Sequence, residues 1–198
     1  MSKKLKVFTV GHSTHPIEKF ISMINHHEID AIADVRSSPY SKYNSQYNRE
    51  NLKQKLSENN IKYVFLGKEL GARSDNPCCY KHGKVDYNLL ADTPLFKSGI
   101  RRVLKGANKM NLALMCAEAE PLDCHRTILI SKELSETNIQ IFHILKDAKA
   151  ESHEQTLGRL IEQYMTQRSD LFMSEDEVKN KAYKKRGEEI AYIEDMAS

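Results

Sequence analysis

The sequence Asn111-Leu-Ala-Leu-Met-Cys-Ala-Glu-Ala-Glu-Pro-Leu-Asp-Cys-His-Arg126 contains an apolar part followed by a polar part, and each part indicates a different kind of structure. Its first part, Leu112–Cys116, is an apolar run without polar alternation, which is typical of a strand buried on both faces of a parallel sheet. Its second part is polar, and Pro121 and Asp123 within it favour the start of a helix. The stretch therefore predicts a buried strand, a polar loop and a helix, with Cys124–Arg126 in the first helical turn.

Short apolar runs alternate with stretches of helical spacing along the first 145 residues. This alternation predicts an α/β fold with a mostly parallel, open, Rossmann-like sheet of about five strands and helices on both faces. The other predicted strands are Leu5–Val10, Ala31–Val35, Tyr63–Leu66 and Ile139–Ile144. The helical stretches are marked by Ile17, Phe20, Ile21 and Ile24, by Leu52 and Leu56, by Ile100, Val103 and Leu104, and by Ile128, Leu129 and Leu134.

The chain of 198 residues predicts one α/β domain over residues 1–150, which carries the site, and a helical, acidic extension over 151–198 that is not an independent domain. Two polar segments that follow strands, Ser37–Arg49 and Gly67–Thr93, are predicted to be binding loops or lids. Beyond Ser174 the sequence fits either a solvated helix or partial disorder. Before it, one apolar stripe predicts an amphipathic helix packed on the domain through Leu157, Leu160, Ile161 and Tyr164.

Composition excludes several classes of protein. With 40% hydrophobic and 29% charged residues the chain resembles an ordinary globular protein. No apolar run reaches the roughly 18 residues of a membrane span, and the start shows no secretory signal. We therefore expect a cytoplasmic protein without a membrane partner, whose four cysteines are free thiols. No dinucleotide fingerprint and no P-loop is present, so no cofactor is expected. The sequence does not indicate an oligomeric state.

Charge is distributed unevenly, although the net charge is only +3. Residues 1–150 carry 23 basic and 16 acidic side chains, whereas residues 151–198 carry 7 and 11. Between residues 36 and 84 there are ten basic and four acidic side chains, and six of the nine tyrosines lie within residues 40–87. Basic residues interleaved with aromatic ones suit a nucleic-acid partner. A small anionic ligand, or a solvated basic face with tyrosines covering a loop, fits the same pattern.

Polar residues follow four of the predicted strands. Because the carboxyl ends of parallel strands share one edge of the sheet, the sequence predicts a ligand site there. The candidates for catalysis are the proton-transfer groups Asp34, Glu118 and His12 and the nucleophile Cys124. The candidates for binding the substrate or an anion are Ser13, Arg36, Ser37, Tyr40, Arg73, His125 and Arg126.

Three of the four catalytic candidates, Asp34, His12 and Cys124, have a structural alternative. On an extended strand Asp34 and Arg36 share a face, so they could form an ion pair that closes the sheet edge. His12 could be structural, and Cys124 could pack inward. Acidic neighbours such as Glu118 oppose a thiolate at Cys124, which favours carboxylate-driven acid–base chemistry over a cysteine nucleophile.

Cysteine and histidine spacing gives little support for a metal site. Cys78 and Cys79 are adjacent in the long loop before His82, while Cys116 and Cys124 are eight residues apart. Zinc sites commonly use cysteine pairs separated by two to four residues. No metal site is therefore predicted.

Several motifs occur in a specific order and spacing along the chain: Thr9-Val-Gly-His-Ser13, Asp34-Val-Arg-Ser37, Pro39–Glu50, Leu70-Gly-Ala-Arg73, and Leu114-Met-Cys-Ala-Glu118 with Cys124-His-Arg126. These motifs resemble those of a known family, the domain of unknown function 488 (DUF488), which is related to the YeaO-like proteins. The resemblance spans roughly residues 5–145, and it implies an α/β domain with an active site but no established reaction. Ala72 departs from the pattern, in which a second glycine is expected.

The expected function is that of an enzyme acting on an anionic substrate, nucleotide-like or linked to nucleic acid, by hydrolysis or group transfer at the carboxyl edge of the sheet. The alternative is a noncatalytic nucleic-acid-binding or regulatory module. The expected partners are thus a small anionic ligand or a nucleic acid.

Overall fold

A computed structural model describes residues 5–164 and 173–194, and a six-stranded sheet lies at its centre. In chain order the strands are β1 (Leu5–Gly11), β2 (Ala31–Asp34), β3 (Lys62–Phe65), β4 (Tyr80–Lys81), β5 (Lys84–Val85), β6 (Leu112–Cys116), β7 (Ile139–Ile144) and β8 (Ala150–Ser152). The central sheet has the order β3-β2-β6-β1-β7-β8, and β4 pairs with β5 in a separate hairpin. Within the central sheet only β7 and β8 are antiparallel.

The predicted α/β fold with a mostly parallel sheet is confirmed, and the five predicted strands correspond to β1, β2, β3, β6 and β7. The sequence pattern misses β8, because Ala150–Ser152 is short and has no apolar residue larger than alanine. This strand extends the sheet beyond β7 and crosses the division at residue 150 that the sequence suggests.

Helices surround the sheet. In chain order they are α1 (Ile17–His26), α2 (Arg49–Glu58), α3 (Gly67–Leu70), α4 (Tyr87–Asp92), α5 (Pro94–Ala107), α6 (Lys132–Ser135), α7 (His153–Tyr164) and α8 (Glu175–Ile190). None of the helices within residues 5–164 and 173–194 is long and apolar enough to cross a membrane.

The helix after β6 begins later than its sequence pattern predicts. Pro121–Asp123 form a separate 3-10 turn, capped by the Glu120 side chain, which accepts a hydrogen bond from the backbone N–H of Leu122. Cys124 is extended, and a π-helical segment, Arg126–Ser131, then leads into α6. The prediction that Cys124–Arg126 form the first turn of an α-helix is therefore wrong, because the proline starts its own turn instead.

Both faces of β6 are buried, as its unbroken apolar run predicts. Leu114 packs on one side of the sheet in a cluster that includes Val103 of α5. Met115 points to the other side, into a cluster with Phe20 of α1 and Leu52 of α2. Successive side chains of a strand alternate between faces, so a strand covered on both sides has no polar position.

The C-terminal extension is packed through an apolar cluster. The predicted amphipathic helix is α7, in which Leu160 is fully buried, and α8 follows with a capping box formed by Ser174 and Glu177. Of the two alternatives beyond Ser174, a helix is present, and its Tyr183 is buried. Residues 165–172 and 195–198 of the predicted extension lie outside the described residues. The cluster consists of Leu122, Ile128, Leu160, Ala182 and Tyr183.

The segment Gly67–Thr93 is structured rather than an open loop. It contains α3, the β4–β5 hairpin and α4, which are each two to six residues long and thus too short to show an apolar period. The side chain of Asp86 caps α4 by accepting two backbone hydrogen bonds, from Asn88 and Leu89. The segment Ser37–Arg49, by contrast, contains a single 3-10 turn, Ser45–Tyr47, before α2 begins.

Candidate functional site

A cavity of about 280 Å³ lies at the carboxyl edge of the sheet, where β2 and β6 end. Residues from five separate parts of the chain line it: the segments after β2 and α3, the start of α4, the end of β6 with the loop that follows, and the end of α8 with the residues that follow. Five of the site residues predicted from the sequence are among them. The polar and aromatic side chains of the wall include Arg36, Ser37, Arg73, Glu118, His125 and Tyr192.

The loop after β6 is held in place from two sides. At Gly11 a Cβ atom would lie 1.7 Å from the carbonyl oxygen of Glu118, so only glycine allows this approach. On the other side the fully buried Arg126 donates to the carbonyl oxygens of Glu118 and Ala119, at 2.7 and 3.1 Å. Arg126 is predicted above to bind an anion, but its donors are directed at the protein backbone. Its geometry makes it a positioning residue for Glu118.

A chain of buried polar contacts connects Arg126 to the C-terminal extension. Its Nε lies 3.4 Å from the Thr9 hydroxyl, which in turn lies 2.8 Å from Nδ1 of His143. The other ring nitrogen of His143 lies 2.9 Å from His153, whose second nitrogen lies 2.8 Å from the Tyr183 hydroxyl. Buried polar groups are stable when each has a partner. The α8 helix is thus coupled to the residue that holds the cavity loop.

Asp34 and Arg36 form a buried ion pair at the end of β2. Two guanidinium nitrogens of Arg36 donate to the two carboxylate oxygens of Asp34, at 2.9 and 2.7 Å. Asp34 is fully buried and also accepts from the Arg36 backbone and from the Tyr63 hydroxyl, at 3.1 and 2.8 Å. Burial alone would lower the pKa of Arg36, but the hydrogen bond and charge of Asp34 raise it. All of these contacts make Asp34 a support for Arg36 rather than a free base.

His12 supports the same guanidinium from the opposite side. Its ring stacks on Tyr47, with ring centroids 4.0 Å apart, and its Nε2 lies 3.2 Å from a guanidinium nitrogen of Arg36. Arginine can only donate, so Nε2 is the acceptor and Nδ1 carries the proton, which it donates to the Ser13 carbonyl at 2.8 Å. Burial lowers the pKa of His12 to about 4, which agrees with this neutral form. With both nitrogens engaged, His12 orients Arg36.

Acid is expected to destabilise the fold between about pH 6.5 and pH 4. Burial lowers the pKa of His12 and of His153 from 6.5 to about 4. Below pH 6.5 the unfolded chain therefore binds protons that the folded chain does not, so stability falls as the pH falls through this window. Each histidine contributes up to about 3 kcal/mol.

Urea unfolding at pH 7 and pH 5 measures this loss. His153→Gln is expected to reduce the difference between the two values, whereas the same change at the exposed His82 leaves it unaltered. An equal loss in the wild type and both variants would contradict the prediction.

Two thiols, an imidazole and a carboxyl group meet below the cavity. Nδ1 of His125 lies 3.7 Å from Cys116 Sγ and 3.8 Å from Cys124 Sγ. The Cys124 thiol donates to the Glu118 carboxylate at 3.0 Å, and Nε2 of His125 lies 3.1 Å from the Val35 carbonyl oxygen. Because a carbonyl only accepts, Nε2 carries the proton, and the lone pair of Nδ1 in the neutral ring faces the two sulfur atoms.

The ionisable groups of this cluster shift one another's pKa values. The hydrogen bond with Cys124 and burial raise the pKa of Cys116 well above that of an ordinary thiol. Burial would also raise the pKa of Cys124, but the Cys116 hydrogen bond and the charges of Arg126 and His125 lower it well below the ordinary value. Burial and the charge of Cys124 raise the pKa of Glu118. A carboxyl group with a raised pKa at a cavity wall is suited to exchanging a proton with a ligand.

Arg73 lines the cavity, and a hydrogen bond from its backbone connects it to the loop after β2. Its N–H donates to the Ser37 hydroxyl at 3.0 Å, and its guanidinium lies 4.4 Å from the centre of the Tyr192 ring. Within the part of the chain that the structure describes, no carboxylate forms a salt bridge with Arg73. Ala72 has no left-handed backbone conformation, so the missing second glycine causes no strain there. Arg73 is therefore the cavity's exposed cation.

Other predicted residues lie apart from this cavity. Tyr40 is 55% exposed and donates to Glu50 on the surface, and Ser13 follows β1 with a left-handed backbone at φ 49°. Conversely, the sequence patterns miss Tyr63 as a partner of Asp34 and Tyr192 as part of the cavity wall. Tyr63 was visible only as one of several tyrosines in a basic stretch, and no signal marked Tyr192.

The fold and the cavity define an α/β protein whose candidate site lies at the carboxyl edge of a mostly parallel sheet. The chain belongs to the family described as domain of unknown function DUF488, whose family model matches residues 16–132. No curated protein and no solved structure matches the chain. Within the matched range lie Arg36, Arg73 and the whole Cys116–Arg126 stretch, whereas His12 precedes it.

Proposed function

We propose that the protein is a cytoplasmic enzyme that acts on an anionic, nucleotide-like or nucleic-acid-linked substrate by hydrolysis or group transfer. The observation that carries this proposal is one cavity lined by two arginines and by a carboxyl group with a raised pKa. Arg73 binds the anion with its exposed guanidinium, since this group matches the geometry of phosphate and carboxylate groups. Arg36 lines the same cavity, but Asp34, His12 and the Tyr47 carbonyl oxygen engage four of its five guanidinium N–H groups, so it contributes through the one that remains. Glu118 transfers the proton.

The supporting residues have separate roles in this proposal. Asp34 and His12 fix the guanidinium of Arg36, and Arg126 fixes the loop that carries Glu118. Cys124 is 1% exposed and does not line the cavity, which favours acid–base chemistry at the Glu118 carboxyl group over a cysteine nucleophile. An arginine held rigidly before a ligand arrives loses little freedom on binding.

Anion binding at Arg73 is expected to stabilise the fold. Inorganic phosphate and adenosine monophosphate serve as probes in a thermal-shift titration, and a ligand at about 100 times its Kd adds roughly 2.7 kcal/mol of apparent stability. Arg73→Ala should lose at least tenfold in affinity, because the exposed guanidinium is removed while the Arg36 ion pair is left intact.

Arg101→Ala is the matched control, because Arg101 is also exposed but lies on α5 away from the cavity wall. Equal affinities for phosphate in the Arg73 and Arg101 variants would contradict the proposed anion site.

A noncatalytic nucleic-acid-binding module is the second candidate, and the exposed tyrosines after β2 favour it. Tyr43 is 96% exposed and follows Lys42, as a base-stacking side chain next to a phosphate contact would require. A salt titration of oligonucleotide affinity separates the candidates. Steep salt dependence that Tyr43→Ala weakens and Glu118→Gln leaves unchanged would favour the module.

A further inference from the structure

The cluster of Cys116, Cys124 and His125 has the composition of a transition-metal site. The two sulfur atoms and Nδ1 of the histidine lie within 4.8 Å of one another, and all three residues are buried. Buried thiols and a ring nitrogen that converge on one point are unusual as packing, since each is a weak hydrogen-bonding partner for the others. The same three groups are strong ligands for a soft or borderline metal ion.

We propose that Cys116 Sγ, Cys124 Sγ and His125 Nδ1 bind one zinc-type divalent ion, with a fourth coordination position open toward Glu118 and the cavity. In a tetrahedral zinc site, bonds of about 2.3 Å to sulfur and 2.0–2.1 Å to nitrogen place these ligand atoms roughly 3.5 Å apart. The observed separations from Nδ1 are 3.7 and 3.8 Å. Small movements of the side chains therefore complete the coordination.

The hydrogen-bond partners of the proposed ligands are arranged like those of residues that bind metals in other proteins. A histidine that binds a metal through one nitrogen usually donates its other N–H to a carbonyl or carboxylate, which fixes the ring. His125 does so toward Val35, at 3.1 Å. Cys124 Sγ accepts a hydrogen bond from the backbone N–H of Arg126 at 3.4 Å, which supports a thiolate. These contacts direct the ligand atoms before any ion arrives.

The chemistry of the ligands selects the metal. Thiolate and imidazole groups prefer zinc and similar ions, whereas magnesium and calcium prefer oxygen ligands. Two thiolates and a neutral imidazole balance the charge of a divalent ion, so the ion and its three ligands together carry no net charge.

The proposed ion is reached from the cavity. Cys116 and His125 line the cavity wall, and so does Glu118, whose Oε2 lies 3.0 Å from Cys124 Sγ. Three protein ligands with an open fourth position are typical of catalytic rather than structural zinc. A bound ion would supply Lewis-acid activation of a ligand at that position, and the Glu118 carboxyl group would be placed to accept a proton from it. This role in the reaction rests on the proposed function, whereas metal binding itself does not.

Sequence spacing disfavours this site, because Cys116 and Cys124 are eight residues apart. The fold brings them together: Cys116 ends β6, and the loop held by Gly11 and Arg126 returns the chain to the same point. Cys78 and Cys79 do not contribute to this cluster. Cysteine pairs with short spacing bind zinc from a single turn of the chain. The three ligands proposed here come instead from the end of β6 and from the residues just before the π-helical segment.

Metal analysis of the full chain tests the proposal. The chain is first reduced, loaded with zinc and dialysed. We then expect elemental mass spectrometry to find one zinc ion per chain. Titration of the metal-free chain with Co²⁺ should give thiolate-to-cobalt charge-transfer absorption and the strong visible bands of tetrahedral cobalt. Cys116→Ser, Cys124→Ser and His125→Ala should each weaken binding at least 100-fold, beyond the typical effect of losing an outer partner.

Cys78→Ser is the matched control, because Cys78 is exposed and outside the cluster, and it should bind zinc as the wild type does. Glu118→Gln alters only a hydrogen-bond partner of Cys124 and should weaken zinc binding less than the loss of any of the three ligands does. A wild-type chain without zinc and without cobalt charge-transfer absorption would overturn the proposal, even if the ligand variants fail to fold. Zinc binding without phosphate binding would overturn only the proposed function, and phosphate binding without zinc would overturn only the metal site.

Discussion

Replacing Asp34 with alanine is expected to lower the free energy of unfolding by about 3–5 kcal/mol, because it leaves the buried guanidinium of Arg36 without its anion. Asp34 is fully buried, and its two carboxylate oxygens accept four hydrogen bonds in total, three of them from Arg36. The loss would exceed that of an exposed ion pair, which contributes at most about 1 kcal/mol. Urea unfolding of the variant and the wild type measures it.

The double variant Asp34→Ala/Arg36→Met is the control, since it removes both charges of the buried pair. We expect it to be more stable than Asp34→Ala alone, because no uncompensated charge is left inside. Lys97→Ala removes one partner of an exposed ion pair and should change stability by less than about 1 kcal/mol. If the Asp34 and Lys97 variants were equally stable, the structural assignment of Asp34 would be wrong.

Glu118→Gln is expected to lower turnover by about 100- to 10,000-fold, the range typical of losing a general acid or base. Glutamine keeps the shape of the side chain but cannot exchange a proton. The reaction to be measured is the hydrolysis of bis(p-nitrophenyl) phosphate, a generic phosphodiester, and of adenosine diphosphate. Since burial raises the pKa of Glu118, the pH profile of the wild type should show an inflection above the ordinary value of 4.5.

Glu120→Gln is the matched control, because Glu120 lies two residues away, forms an ion pair with Arg159 and does not line the cavity. It should turn over the substrate at the rate of the wild type. An active Glu118 variant, or an inactive Glu120 variant that is still folded, would show that proton transfer has been assigned to the wrong carboxyl group.

The sequence predicts the central sheet well because five of its six strands carry apolar runs, whereas the two-residue strands β4 and β5 are too short to show one. β6 illustrates this, since a run such as Leu112–Cys116 has few stable alternatives to a strand covered on both faces. The sixth strand, β8, is held by antiparallel pairing with β7 across a short turn, and this backbone pairing leaves no apolar pattern in Ala150–Ser152. The helix after β6 begins later than predicted, because Pro121 starts a separate 3-10 turn before it.

The candidate site is less predictable, because partners across the fold decide what each side chain does. Asp34 and Arg36 can be paired from the two-residue period of a strand, which leaves ion pair and active pair as alternatives. Tyr63 and His12 then complete the contacts of that pair, and neither partner follows from spacing. Arg126 shows the same effect, since its sequence position suggests an anion site while its contacts are backbone carbonyls.

The wall of the cavity combines a part that the family model describes with a part that it does not. Arg36, Arg73 and Glu118 lie within the matched residues 16–132, whereas Ile190 and Tyr192 come from the C-terminal extension. Selectivity can therefore diverge within the family without any change at the strand ends. Relatives that keep those strand-end residues but carry a different C-terminal segment are expected to accept ligands of different size and shape.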